Sequence, residues 1–219
     1  MNAVRAAYIH IPFCSHICYY CDFNKVFIEG QPVDEYVDLL VREMQLRAKA
    51  HPLSPLETLY IGGGTPSTLS PKQLATLFEG IHRYLPLEKN CEFSMELNPD
   101  DGQIDRLEVM KEYGVNRISM GVQSFNDELL KKIGRKHSKK TVLQTIGNAR
   151  KLGFENISID LIFRLPQQTI QDFEDSLKIA RELDLPHYSI YSLILEQKTV
   201  FYNLMRQGKL PLPTQDEEA

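Results

Sequence analysis

The sequence has no tryptophan, only four cysteines in 219 residues, and no long uninterrupted hydrophobic run. Without about 20 consecutive apolar residues, no membrane-spanning helix is expected. Near the N-terminus Arg5 is the only positive charge, and the apolar stretch that follows is broken by His10 and Pro12, so no targeting segment is expected either. Four cysteines are too few for a disulfide scaffold, and a reducing, cytoplasmic setting follows. Positive charge is not in excess: 25 Lys and Arg stand against 29 Asp and Glu, a formal charge of -4. No global basic field therefore draws the chain to nucleic acid or anionic lipid. Low-complexity tracts and internal repeats are also lacking. What remains is an ordinary globular composition, 42% hydrophobic and 25% charged, at a length that suits one large α/β domain with a substantial core.

Strand-like runs at 6–11, 58–61, 92–97, 117–122, 156–161 and 188–193 alternate with helix-like stretches. Val37, Leu40, Val41 and Met44 recur at helical spacing, as do Phe173, Leu177, Ala180 and Leu183. Ser70-Pro71-Lys72-Gln73 reads as a capping box with proline in the first helical turn. Gly114 and Gly153 occupy expected helix ends, each just before a strand. Repeated βα units imply a parallel sheet with right-handed crossovers.

Alternation within the strands narrows the choice of architecture. Strands covered on both faces are apolar on both, yet Ser94 and Glu96, then Arg117, Ser119 and Gln123, then Ser158 and Asp160 form a polar row. Their neighbours Phe93, Met95, Leu97, Ile118, Met120, Val122, Ile157, Ile159 and Leu161 suit packing beneath helices. A sheet curled as a partial barrel around a polar lumen accounts for both rows, with chemistry expected at the C-terminal strand ends. Buried hydrogen bonding without a ligand is the alternative account of that polarity. Residues 1–210 are read as this domain. Residues 211–219, proline-containing and acidic, are read as a connector to a downstream region absent from this chain.

Cys14, Cys18 and Cys21 have C-x3-C-x2-C spacing in a loop directly after the first strand. Three thiolates from one short loop suit three irons of a [4Fe-4S] cube and leave the fourth iron open. A structural zinc site needs a fourth ligand, for which His16 or Cys91 is available.

The run Tyr8-Ile9-His10-Ile11-Pro12-Phe13-Cys14, the cysteine spacing, Gly62-Gly63-Gly64-Thr65-Pro66, Gly121-Val122-Gln123-Ser124-Phe125 and Asp160-Leu161-Ile162-Phe163 cover nearly the whole chain. In that order they resemble radical S-adenosylmethionine (SAM) enzymes of the oxygen-independent coproporphyrinogen oxidase type. The resemblance implies a partial (β/α)6 barrel of TIM-like form, with Cys14, Cys18 and Cys21 as cluster ligands. It further implies that SAM binds the open iron through its methionine amino and carboxylate groups, and that its sulfonium is cleaved to a 5'-deoxyadenosyl radical. Tyr8 and Tyr20 match aromatic positions beside the cofactor; two tyrosines packing the loop is the simpler reading. The glycine loop, including Gly63, Gly64 and Thr65, matches a motif that lets backbone approach the methionine moiety, since a Cβ would block it. A tight turn without ligand is the alternative; a phosphate loop would continue Gly-Lys-Ser/Thr, which does not follow. Glu96, Gln123, Arg135 and Asp160 match SAM-contacting positions, although Arg135 also sits in a charged run, 131–137, that reads as a solvated face. One departure is Arg164, where relatives carry glycine; a left-handed backbone there would be strained.

After the third cysteine this chain continues Asp22-Phe23, whereas coproporphyrinogen dehydrogenases have a further cysteine two positions on. The pattern resembles the heme-chaperone branch, which implies heme binding and transfer to heme-accepting apo-proteins, with a reductant such as flavodoxin or ferredoxin. Its heme-binding histidine motif is expected downstream; His10, His16 and His137 are the candidates here, each also readable as a structural histidine. The alternative is oxidative decarboxylation of the porphyrinogen substrate to protoporphyrinogen IX. A tRNA-modifying radical enzyme has only the basic run 131–140 in its favour, and nucleic acid is not favoured.

Overall fold

The computed structural model describes residues 4–50 and 54–212. Six strands form one parallel sheet in chain order: β1 (Ala6–Ile11), β4 (Leu56–Gly63), β5 (Leu87–Leu97), β6 (Arg117–Gln123), β7 (Asn156–Phe163) and β8 (His187–Ser192). A two-stranded ladder, β2 (Phe13–Cys14) with β3 (Val26–Phe27), closes the cysteine loop. Helices α1 (Val33–Ala50), α2 (Pro71–Tyr84), α3 (Ile104–Glu112), α4 (Asp127–Lys132), α5 (Lys139–Lys151), α6 (Ile170–Glu182) and α7 (Val200–Arg206) supply the crossovers and the final turn.

Among the described residues β1 and β8 do not pair, so the sheet does not close. Side chains from β4 through β8 nevertheless line one cavity, which requires the sheet to curl around it. The expected partial barrel is the fold. All six strands fall where periodicity puts them, and β1 matches to the residue. β5 starts five residues early, because exposed Glu88, Lys89 and Asn90 hide its beginning from any apolar pattern.

The two-faced strand pattern sets the layers. Phe93, Met95 and Leu97, with their counterparts on β6 and β7, are buried under the helices, while the polar row faces the lumen. Ser70 caps α2 as read, accepting from the Gln73 N–H while the Gln73 side chain accepts from the Ser70 N–H. Gly114 and Gly153 have φ of 88° and 78°, as helix-terminating glycines do. The α6 stripe needs correction: Ser176 and Ala180 point inward and Leu177 is 37% exposed. The Ser176 hydroxyl accepts the buried Phe125 N–H at 3.2 Å, which fixes the helix rotation at the expense of the leucine. At the connector, the Gln167 N–H donates to the Pro211 carbonyl; residues 213–219 lie outside the described residues.

Helices α1 and α2 pack closely because residue 80 has no side chain. A Cβ there would stand 2.5 Å from a Val41 methyl, and a β-branched neighbour cannot swing aside. Gly80→Ala is therefore expected to destabilise the fold by about 1–3 kcal/mol of overpacking, offset by about 1 kcal/mol of helix propensity. A lower midpoint in urea unfolding, with an unchanged slope, checks this; a raised midpoint contradicts it.

Candidate functional site

The cysteine loop leaves β1 at Pro12 and is tied down along its length. The Val26 N–H donates to the Pro12 carbonyl and the Ile28 N–H to the Cys14 carbonyl, so the loop's two ends form the β2–β3 ladder. Its tip is held by the Tyr19 N–H on the Ile133 carbonyl and by the Phe201 N–H on the Tyr19 carbonyl. All four cysteines are free thiols, and Cys14, Cys18 and Cys21 line one wall of a cavity of about 420 Å³, in the size range of small-molecule sites. The Thr65 hydroxyl donates to Cys14 Sγ at 3.4 Å, and His16 Nε2 lies 3.8 Å from Cys18 Sγ. Burial pushes the Cys14 and Cys21 thiols up from their ordinary pKa, a cost that bound metal or positive charge would remove.

Below the thiols the lumen holds two carboxylates. Glu96 accepts from the Tyr60 hydroxyl at 2.8 Å and from the Gly63 N–H at 3.1 Å. Burial raises its pKa, and the two donors only partly offset that. Asp160 is likewise raised by burial, with the Ser189 hydroxyl and then Arg135 and Arg117 acting against it. Arg164 does have the left-handed backbone its position threatened, φ 65°, yet Asp160 remains on the cavity wall.

Arg135 belongs to the site and not to a solvated face. Its Nε and Nη2 donate to the Tyr20 hydroxyl at 3.2 and 2.9 Å, and Nη1 donates to Asn98 Oδ1 at 2.9 Å. Tyr20, between two of the cysteines, is thus clamped by a guanidinium from the far side of the cavity. Gln123 is buried and carries φ 68°. The Ser124 N–H closes an i to i+2 bond on the Val122 carbonyl, the rare γ-turn arrangement. His137 Nε2 donates to that same carbonyl at 3.0 Å, bracing a strained turn that aims Gln123 into the lumen.

Two of the residues assigned from the sequence, Tyr8 and Gly63, stand off the cavity wall. Tyr8 is 59% exposed and does not line the cavity; its hydroxyl bonds His10 Nδ1 at 3.0 Å and its ring stacks on Tyr60. The register puts it opposite Tyr60, whose hydroxyl turns into the lumen onto Glu96. The glycine loop approaches the chain itself. A Cβ on Gly63, at φ 125°, would stand 2.7 Å from the His10 ring, and one on Gly64 would stand 2.8 Å from the Phe13 carbonyl. The Gly64 and Thr65 N–H groups donate to the Ile11 and Phe13 carbonyls. The glycines therefore press the end of β4 onto the cysteine loop, and Gly64 and Thr65 then reach the cavity, while Gly63 does not.

Sequence reasoning missed Tyr60, Asn98 and Lys25 on the cavity wall. Tyr60 alternates with Ile61 and could have been read from the period of β4; Asn98 and Lys25 lie in loops, where no period applies. The zinc alternative finds no support: among the described residues no three His, Cys, Asp or Glu side chains converge as ligands of one ion. Cys91 lies far down β5, its thiol on the Glu92 carbonyl. The three free thiols line one wall of the same cavity, and thiolate is the donor a [4Fe-4S] cube takes. The carboxylates with raised pKa fit a cationic ligand carrying hydroxyl and amino donors.

The three candidate histidines differ in what their rings meet. His10 has both ring nitrogens engaged, by Tyr8 and by the Asn24 carbonyl. His16 lines the cavity, with Ser15 and Cys18 at 3.5 and 3.8 Å from its ring nitrogens. His137 is buried and pushed down to about 4 by desolvation; its Nε2 is on backbone and its Nδ1 has no hydrogen-bond partner among the described residues.

Comparison with known proteins agrees with this geometry. Residues 8–180 match the model of the Radical SAM superfamily. The chain is 54% identical over 217 residues to a Bacillus subtilis protein named heme chaperone HemW, covering 99% of this chain and 57% of that protein. The Escherichia coli protein of the same name is 38% identical over 97% of this chain and 55% of its own. The solved structure of E. coli coproporphyrinogen III oxidase (HemN), described as a radical SAM enzyme, superposes with a TM-score of 0.88 at 31% identity, over 98% of this chain and 50% of that one. The chain spans about half the length of the relatives it matches.

Proposed function

The chain belongs to the radical SAM superfamily, and from that premise we propose that it is the radical SAM core, residues 1–210, of a cytoplasmic heme chaperone, with 211–219 leading onward. The observation that carries the choice of branch is the stretch after the third cysteine. Exposed Asp22 and Phe23 occupy the position where a porphyrinogen dehydrogenase has another thiol, and the remaining cysteine of this chain, Cys91, is buried midway along β5, outside the cavity lining. The names of the two relatives support the same branch.

In this reading Cys14, Cys18 and Cys21 hold a [4Fe-4S] cluster. Tyr20, Gly64, Thr65, Glu96, Gln123, Arg135 and Asp160 form the SAM site, with Gly63 shaping it from behind and Tyr8 at its rim. The bound pair supplies one-electron cleavage of a sulfonium. The residues have separable tasks. Glu96 and Asp160 accept donor groups and match positive charge; Arg135 and Asn98 hold Tyr20 against the loop; Tyr20 and Ile17 keep water from the thiols. No described histidine is assigned to heme, and no step is derived through it. Heme-accepting apo-proteins and a flavodoxin- or ferredoxin-like reductant complete the proposal. Among the described residues no helix is long and apolar enough to cross a membrane.

The test uses full-length protein reconstituted anaerobically with iron and sulfide. Heme is titrated by its absorption, and the same preparation is given SAM, reductant and coproporphyrinogen III. Stoichiometric heme binding without protoporphyrinogen formation is expected. Turnover to protoporphyrinogen would overrule the Asp22-Phe23 argument and make the protein an oxidase.

A further inference from the structure

The loop that carries the three cysteines also carries a cation that turns back onto it. Lys25 lies four residues beyond Cys21, immediately before β3. Its Nζ donates to the Cys21 carbonyl at 2.6 Å and to the Phe23 carbonyl at 3.1 Å. The backbone on either side is pinned, by His10 on the Asn24 carbonyl and by the Val26 N–H on Pro12. The side chain lines the same cavity as the three thiols, and among the described residues no carboxylate is paired with it.

Lys25 is half-buried with carbonyl oxygens as its partners, and an ammonium so placed is stabilised by negative charge beside it. Thiolates supply that charge. Lys25 stands close to them: its Nζ bonds the carbonyl of Cys21 itself, on the same cavity wall. The other cation near the loop, Arg135, is held by hydrogen bonds to the neutral Tyr20 hydroxyl and Asn98 amide, so its charge is the same background in every Lys25 variant.

We propose that Lys25 sets the reduction potential of the cluster, its ammonium raising the one-electron potential of a [4Fe-4S] group held by Cys14, Cys18 and Cys21. The inference rests on the cluster reading above. On reduction the group takes one electron from a low-potential donor such as dithionite and its charge falls by one, with no proton required. A fixed positive charge on the cavity wall stabilises the reduced form more than the oxidised form, and net charge and hydrogen bonding near the cluster are the protein's means of tuning it. Lys25 also closes the loop mechanically, and the two roles separate because an amide donates the same kind of hydrogen bond without the charge.

The experiment is a redox titration of the anaerobically reconstituted full-length protein, following the electron paramagnetic resonance signal of the reduced cluster, with iron content measured alongside. Lys25→Gln is expected to keep its iron and to titrate at a more negative midpoint than wild type, while Lys25→Arg stays close to wild type. A wild-type midpoint in Lys25→Gln overturns the proposal. So does an equal shift in Gln and Arg, which would make geometry the cause, or loss of iron from Gln but not Arg, which would make Lys25 a holding residue. Absence of the signal from wild-type protein defeats the cluster reading itself, a separate failure visible in the wild type alone.

Discussion

Cys18→Ser is expected to lose most of its bound iron and the broad visible charge-transfer absorption after anaerobic reconstitution, while Cys91→Ser keeps both. The contrast follows from position. Cys18 is on the wall of the cavity beside Cys14 and Cys21, and a serine hydroxyl does not ionise near neutral pH to replace a thiolate ligand. Three ligands leave no redundancy. Cys91 is 6% exposed on β5, where its sulfur meets the neighbouring carbonyl and the Leu59 backbone within the core. Serine there puts a hydroxyl in a small apolar pocket at a cost of about 1–3 kcal/mol, so thermal stability falls and cluster content does not. Cys14→Ala has a further consequence, since it also removes the acceptor of the Thr65 hydroxyl and loosens the joint between β4 and the loop. Equal loss of iron from Cys18→Ser and Cys91→Ser would mean that Cys91 reaches the metal and that the assignment of three ligands is incomplete.

How far the amino-acid pattern reveals this fold and site divides along the physics of repeating and non-repeating segments. The strands are legible because a two-residue period repeats over six or more positions, and that period also locates Glu96 and Asp160 on the lumen side. The α6 stripe misleads because periodicity counts only apolar residues, and the helix is turned inward on a serine that satisfies a buried N–H. The glycine loop is legible as a place of close approach, but which atoms approach is not: the neighbours are His10 and the Phe13 carbonyl, distant in sequence. Arg135 shows the same limit. Its local context of lysines describes a solvated face, and only the return of the chain past Tyr20 and Asn98 makes it part of the cavity. Lys25 gives no periodic signal at all, because its role depends on a side chain folding back onto its own loop.

The affinity of the reconstituted protein for SAM is expected to fall with falling pH, at a higher pH than an exposed glutamate would set, and Glu96→Gln is expected to weaken binding about tenfold or more. Burial raises the Glu96 pKa, so the carboxylate that a cationic ligand needs is protonated earlier than an exposed glutamate would be. Ligand binding holds the group ionised and releases a proton, and below the raised pKa each pH unit costs about tenfold in affinity per proton released. Removing one charge-assisted hydrogen bond costs about 1.5–3 kcal/mol, which is at least tenfold in affinity. Asp160, also raised and electrostatically linked to Glu96, titrates with it, so the wild-type profile belongs to the pair. Glu96→Gln therefore leaves a shallower profile set by Asp160. Stability of the ligand-free protein runs the other way. A carboxyl whose folded pKa is raised above its unfolded value contributes stability that is fully present below the unfolded pKa and is lost as pH rises through the folded one. Opposite pH slopes for unfolding and for SAM binding in one preparation, both flattened by Glu96→Gln, identify this carboxylate as the contact. An affinity that is independent of pH in wild type, or unchanged in Glu96→Gln, removes Glu96 from the SAM site.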